Sequence, residues 1–151
     1  MFSDPSPCDG SSWKASFGGP LLETDDSTFR PVDCLAGPDG ALYVADWCDP
    51  RASHVDPVDN WDKASGRIYK IQSTESGPQK AAAFDLAKLS SDQLINHLTN
   101  RNDWFRRAAR KQLAMRQETN IVPRLRGLSL QRTNQSLALQ SLWSLHVSGG
   151  F

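Results

Sequence analysis

The pattern of apolar and polar positions changes character near the middle of the chain. In the first half, short runs rich in β-branched and aromatic residues predict strands over residues 29–35, 41–47 and 66–71. Residues 37–40, Gly-Pro-Asp-Gly, predict a turn between the first two runs. We expect residues 11–22 to add a fourth strand. We also expect the strand at 41–47 to be buried on both sides, because both of its faces carry apolar side chains.

The second half has the periodicity of helices, with apolar residues recurring three or four positions apart. The clearest case covers about residues 103–117, where Phe105, Ala109 and Leu113 share one face. Four helices are predicted, and each is preceded by a polar residue suited to an N-cap. These candidate caps are Ser90 or Ser91, Asn102, Thr119 or Asn120, and Asn134.

A repeat is visible among the predicted helices. A shift of 30 residues aligns Ala108 with Ala138 and Leu113 with Trp143. Short antiparallel helix pairs at such a period are typical of a HEAT-like α-solenoid. The large aromatic residues that we expect in the helical core are Trp104, Phe105 and Trp143.

These patterns predict a mixed fold in which β and α parts are segregated. Residues 1–75 would form antiparallel strands equal to about one β-propeller blade, and residues 76–151 would form HEAT-like α-helical hairpins. Charge divides at the same place, with 13 acidic and 6 basic side chains in the first part and 4 acidic and 11 basic in the second. The whole chain has zero net charge, so nucleic-acid binding is not expected to be its main task.

Several classes of protein are disfavoured by the composition. No run approaches the 18 consecutive apolar residues of a transmembrane helix, and residues 1–10 lack the apolar core of a signal peptide. The three cysteines contain no CxxC pair, so neither a zinc framework nor a complete disulfide set is expected. The absence of a CxxCH motif excludes covalently attached haem c on this chain.

Acidic residues cluster after the second predicted strand, in a polar connection that also holds a histidine. The metal candidates there are Asp46, Asp49 and His54, followed by Asp56, Asp59 and Asp62. Carboxylate oxygens suit Ca²⁺, and an imidazole beside carboxylates can act as a general base. The alternative is a solvated acidic loop in which the aspartates form Asx-turns.

Two groups of basic residues also have two interpretations each. Arg30 is a candidate contact for an anionic cofactor, or it forms an internal ion pair with Asp33 across Pro31. Arg106, Arg107, Arg110 and Lys111 line one face of a predicted helix. That face either binds an acidic partner or is simply solvated.

The order of the motifs resembles a known family. Residues 29–33, residues 37–47, His54 and residues 66–71 are similar to the closing part of the propeller in the large membrane-bound dehydrogenases of planctomycetes and verrucomicrobia. Those proteins resemble soluble quinoprotein glucose/sorbosone dehydrogenases and continue into HEAT-like repeats. Residues 102–107 and 142–146 are similar to that repeat region.

The resemblance implies a function for the full-length protein. It implies a periplasmic sugar or alcohol dehydrogenase with pyrroloquinoline quinone and calcium, and it places Asp46 and His54 at matching positions. Together with Arg30, these are the candidate substrate or cofactor contacts. We expect the present chain to be a fragment of such a protein, holding no cofactor by itself and inactive alone. The alternatives are a non-catalytic propeller and HEAT scaffold, or a non-functional truncated product.

Overall fold

The computed structural model describes residues 17–49, 58, 62, 64–74 and 85–150. The chain divides into two compact units. One contains the described residues between Gly19 and Ala82, and the other contains Phe17 and Gly18 together with the described residues from Ala83 onward. The first unit is built from strands and the second from helices, so the prediction of a β part followed by an α part is confirmed.

The first unit is a three-stranded antiparallel sheet in the order β1-β2-β3. Strand β1 spans Pro31–Ala36, β2 spans Leu42–Asp46 and β3 spans Arg67–Ile71. All three lie where the sequence pattern predicts them. Pro31 begins an edge strand, where its missing N–H interrupts no central ladder.

The described part of residues 11–22 does not form the expected fourth strand. Residues 11–16 lie outside the described residues, and residues 17–22 have no strand structure. This stretch contains Gly18, Gly19 and Pro20. Glycine has no side chain to pack on a sheet and proline has no N–H to donate, so both disfavour a ladder.

The turn between β1 and β2 is the predicted one. The N–H of Gly40 donates to the carbonyl of Gly37 at 3.1 Å. Gly40 has a φ of 76°, a left-handed conformation that glycine adopts without strain. A Cβ atom at Gly37 would overlap the ring of Tyr43, so this position also requires glycine.

The two faces of the sheet differ in exposure. Val44 and Asp46 lie buried on one face, where Phe29 packs edge-on against Tyr69 with ring centroids 5.8 Å apart. The other face carries Leu35 and Ile68, which are 46% and 77% exposed. The expectation that β2 is buried on both sides is therefore wrong. Its Tyr43 and Ala45 are only half-buried on this second face, which the described segment preceding β1 does not cover.

The second unit contains four α-helices within the described residues. Helix α1 spans Ser91–Asn96, α2 spans Asp103–Arg116, α3 spans Val122–Ser129 and α4 spans Gln135–Val147. Short 3₁₀ turns precede α1, follow it and lead into α3. In the described part of the chain, no helix is long and apolar enough to cross a membrane.

Three of the four predicted N-caps are confirmed. Ser90 forms a capping box with Gln93 at α1, and the side chains of Asn102 and Asn134 accept backbone N–H groups at α2 and α4. The prediction for α3 is wrong, because Thr119 and Asn120 lie in a 3₁₀ turn that runs into the helix. The carbonyls of such a turn satisfy N–H groups of the following helix, so no side-chain cap is required.

The helices enclose one continuous apolar core. Leu113 of α2 belongs to this core and is fully buried, and the partly buried Trp104 and Phe105 pack against the core. Trp143 does not follow this prediction, since it is 43% exposed on the surface of α4. The buried core members are Leu86, Leu94, Ile95, Leu98, Ala109, Leu113, Ile121, Leu125 and Leu145.

Helices α2 and α4 run in the same direction. Arg110 donates to the Gln140 side chain at 2.6 Å, and the Gln117 side chain donates to the Val147 carbonyl at 2.7 Å. Both contacts join residues 30 positions apart in sequence. The sequence separation is constant along the pair, as expected for parallel helices.

The repeat is better described by another register. The caps Asn102 and Asn134 lie 32 residues apart, as do the buried residues Leu113 and Leu145. A shift of 30 residues, as predicted, aligns the buried Leu113 with the exposed Trp143. This prediction is therefore wrong, because aligned positions of a repeat should have similar burial. The 30-residue shift corresponds instead to the side-by-side contacts between the two helices.

Candidate functional site

Asp46 lies at the end of β2, opposite the first residue of β3. Its carboxylate is buried and accepts hydrogen bonds at both oxygens. Oδ1 accepts the backbone N–H of Arg30 at 2.7 Å and that of Cys48 at 3.1 Å. Oδ2 accepts the Nε–H of Arg67 at 2.7 Å. Asp46 thereby ties the entry to β1, the exit from β2 and the start of β3 together.

Arg67 joins Asp46 to a second carboxylate. Its Nη1 lies 2.6 Å from Oδ2 of Asp26, and its Nη2 lies 2.7 Å from Oδ2 of Asp46. Asp26 also accepts from the hydroxyl of Thr28 at 2.6 Å. The guanidinium carbon lies 5.5 Å from the ring centre of Tyr69. We call Asp26, Thr28, Asp46 and Arg67 the strand-end network.

The hydrogen bonds and ion pairs of this network shift the pKa of each charged member in the direction that favours its ionised form. Hydrogen bonds from Thr28, with a further one from Arg67, lower the pKa of Asp26 to about 2. Burial alone would raise the pKa of Asp46, but the N–H groups of Arg30 and Cys48 and the guanidinium of Arg67 outweigh burial, and its pKa is lowered. Hydrogen bonding to Asp26 and then Asp46 raises the pKa of Arg67. The network is therefore fully ionised at neutral pH.

Arg30 takes part in this site through its backbone more than through an ion pair with Asp33. Its Nη1 donates to the carbonyl of Phe29 at 2.8 Å, while its N–H donates to Asp46. Asp33 is exposed and accepts the backbone N–H of Cys34. At this end of the sheet, the ion pair between Asp46 and Arg67 joins β2 to β3.

The remaining predicted ligands are only partly described. Asp49 is buried, and its Oδ2 accepts the indole N–H of Trp47 at 3.1 Å. Asp62 accepts the N–H groups of Ala64 and Ser65, which is the local turn that the alternative interpretation predicts. His54, together with Asp56 and Asp59, lies outside the described residues.

The described part of the predicted metal set does not suit Ca²⁺. Both oxygens of Asp46 face N–H donors, and one of them faces a guanidinium whose positive charge would repel a divalent cation. Among the residues that the structure describes, no group of three or more His, Cys, Asp or Glu side chains is arranged to hold a metal ion. The full set with His54 stays a prediction.

The sequence reasoning missed Arg67 and Asp26. A signal for Arg67 exists, because β2 and β3 are antiparallel neighbours whose ends are aligned. In that register Asp46 pairs directly with Arg67. Asp26 precedes the sheet in an irregular segment, where no periodic pattern places a side chain.

A second polar cluster holds the opposite end of the sheet. The Tyr43 hydroxyl donates to Asp39 at 2.9 Å, and Lys70 Nζ lies 2.7 Å from the same carboxylate. Hydrogen bonds from Lys70 and then Tyr43 lower the pKa of Asp39 to about 2. This cluster clamps the β1–β2 turn onto β3, which makes it a structural feature of the open face.

Comparison with known proteins adds one similarity. A family described as a domain of unknown function, DUF7133, matches residues 9–75, which include all three strands. The chain is similar to that family over this part. Neither a curated protein nor a solved structure matches the chain.

Proposed function

We propose that the chain forms the junction between a β-propeller and an α-solenoid in a periplasmic, quinoprotein-like sugar or alcohol dehydrogenase, and that it has no turnover of its own. The open sheet face carries this proposal, since Leu35 and Ile68 are exposed beside Tyr43 there. A propeller is a ring of small sheets around a central channel. The open face is suited to the neighbouring sheet in such a ring.

The arrangement of the helices supports the solenoid part of the proposal. In a solenoid, equivalent helices of successive hairpins lie side by side in the same direction. The parallel contacts between α2 and α4 and the 32-residue spacing of Asn102 and Asn134 have this character. Helices α1 and α3 are linked by Arg124, which contacts Asp92 and Asn96.

The strand-end network supports a structural and non-catalytic role for this sheet within the proposed propeller. Asp46 is one of the residues that the resemblance places in a site, and both of its oxygens already accept hydrogen bonds, from Arg30, Cys48 and Arg67. A carboxylate used in this way holds strands together, so the reacting groups would come from other blades. Pyrroloquinoline quinone also requires a pocket enclosed by several sheets.

The proposal is tested on the coding DNA that flanks the 151 codons of this chain. In-frame sequence encoding further four-stranded units on one side and further helical hairpins on the other would support it. In-frame sequence encoding an unrelated fold on both sides would contradict it. Dye-linked oxidation of sugars or alcohols by the full-length product, with pyrroloquinoline quinone and Ca²⁺ added, tests the activity.

A non-catalytic scaffold is the second candidate, and the engagement of Asp46 favours it. A scaffold of the same architecture would show no dye-linked turnover above the protein-free control under any of these conditions. For the present chain, calorimetry is expected to show no tight stoichiometric Ca²⁺ binding, because Arg67 occupies the carboxylate. Tight binding that is lost in His54→Ala would restore the predicted metal set.

A further inference from the structure

Helix α4 buries several polar side chains and exposes several large apolar ones. Its buried positions include the polar or small residues Gln140, Ser141 and Ser144, whereas Leu142 and Trp143 are 41% and 43% exposed. A solvated surface helix has the opposite arrangement. Where exposed apolar side chains form a continuous patch with a polar rim, the patch marks an interaction site.

Trp143 is held in place from the neighbouring helix. The guanidinium carbon of Arg110 lies 5.1 Å from the ring centre of Trp143, and the same guanidinium donates to Gln140 at 2.6 Å. The aromatic ring and the cation are therefore positioned before any partner arrives. Tryptophan and arginine are the residue types most enriched among the energetic centres of protein interfaces.

The cation beside Trp143 has donors to spare. Within the described part of the chain, Arg110 makes one hydrogen bond, through Nη1, out of the five N–H groups that a guanidinium offers. Packing against α4 removes water from it, and this burial lowers the pKa of Arg110. An anionic partner would offset that loss of solvation.

The charges around Arg110 point to the same type of partner. Arg106 and Arg107 are both paired with Asp103, whereas Lys111 is exposed on the next position of α2. The half of the chain that contains these helices carries 11 basic and 4 acidic side chains. A complementary surface would place a carboxylate next to an apolar side chain.

We infer that Arg110, Lys111, Leu142, Trp143 and Val147 form a docking surface for an acidic amphipathic helix of another protein. The apolar side of that helix would pack on Trp143 and Leu142, and a carboxylate on its flank would bind Arg110. This inference depends on the helical unit alone. It goes beyond the proposed junction and requires that any further hairpins after α4 leave Trp143 and Arg110 uncovered.

The experiment measures binding of the full chain to a fluorescein-labelled helical peptide of about 18 residues, with leucines on one face and glutamates on both flanks. A saturable rise in anisotropy is expected, weakened as NaCl is raised. Trp143→Ala and Lys111→Glu are each expected to raise Kd about tenfold or more. Two control variants should leave Kd within about twofold. Trp143→Phe keeps an aromatic ring, and Lys88→Glu makes the same charge change as Lys111→Glu, but on the 3₁₀ turn Leu86–Lys88.

Three results would overturn the inference. One is equal affinity for a peptide in which every glutamate is replaced by lysine. Another is competition by single-stranded oligothymidine with the same loss in Trp143→Ala, since that would assign the surface to nucleic acid. The third is a dimer of the chain that Trp143→Ala dissociates in sedimentation, since a second copy would then occupy the surface. Thermal melts of each variant show that a loss of binding is not a loss of folding.

Discussion

Different interactions stabilise the sheet unit and the helical unit of this chain. The sheet buries few large apolar side chains and is fastened at one end by Asp46 and Arg67 and at the other by Asp39 and Lys70. The helices instead share a continuous cluster of buried aliphatic side chains that includes Leu113. The sheet is therefore expected to respond to pH and to charge substitutions, and the helices to respond to changes of side-chain volume.

The largest expected effect is a cavity in the helical core. Leu113→Ala should lower the free energy of unfolding of the helical unit by about 3 kcal/mol, because Leu113 is fully buried. Urea titration followed by the helical circular-dichroism signal measures the change. The matched control is Leu130→Ala, at a position that is 75% exposed, where a change within about 0.5 kcal/mol is expected. Equal effects of both variants would contradict the assignment of the core.

Removing the buried carboxylate should damage the sheet alone. Asp46→Ala leaves the N–H groups of Arg30, Cys48 and Arg67 without their acceptor, which is expected to cost about 2 kcal/mol. Hydrogen exchange mapped by mass spectrometry should show faster exchange in β2 and β3 and unchanged exchange in α2. Asp33→Ala is the control, since Asp33 is exposed. Faster exchange in the helices alone would contradict the comparison.

Acid should act on the sheet through the same carboxylates. The folded pKa of Asp26 and of Asp39 is about 2, below the ordinary 3.8, so folding favours the ionised form. The stability that they contribute is present above pH 3.8 and is lost as the pH falls toward about 2. Hydrogen exchange across this range should report opening of the strands.

The double variant Asp26→Asn with Asp39→Asn provides the test of this cause. Amides do not titrate here, so much of the pH dependence of strand exchange should disappear while the dependence due to Asp46 persists. An unchanged acid response in the double variant would show that other groups govern it.

The smallest expected effect concerns a buried hydroxyl in α4. Among the residues that the structure describes, the Oγ of Ser141 is buried and has no hydrogen-bond partner, so Ser141→Ala should stabilise the helical unit by about 1 kcal/mol. Ser144→Ala is the matched control, because its hydroxyl donates to the Gln140 carbonyl at 2.8 Å. The midpoints of urea unfolding should rise for the first variant and not for the second. A lower midpoint for Ser141→Ala would show that its hydroxyl is satisfied in solution.

Local signals predicted the elements well because each depends on nearby residues. Asn102 and Asn134 cap their helices through N–H groups two and three residues away, and the turn at Gly37 and Gly40 closes within four residues. The failures concern packing. Trp143 has the spacing of a core residue, yet small side chains such as Ser141 take the inner positions of α4.

The candidate site shows the same limit. Sequence spacing drew attention to Asp46 because many aspartates follow it, but its function as a ligand or as a structural anchor depends on what its oxygens face. The groups that face the Asp46 oxygens depend on the alignment of β2 with β3, which brings Arg67 to Asp46. The path of the chain before β1 then brings Asp26 to Arg67. Contacts between residues 21 and 41 positions apart leave no periodic trace in a sequence.

Local signals in the chain were sufficient to predict the order of β and α parts, the three strands, the four helices, most of the caps and the opposite charges of the two halves. These properties come from backbone preferences, from side chains within a turn of one another and from composition. Tertiary structure alone decided that Arg67 joins two carboxylates, that one sheet face stays open and that Trp143 lies outside, stacked with Arg110. Each of these depends on which distant segments meet, and that is settled by the packing of whole elements.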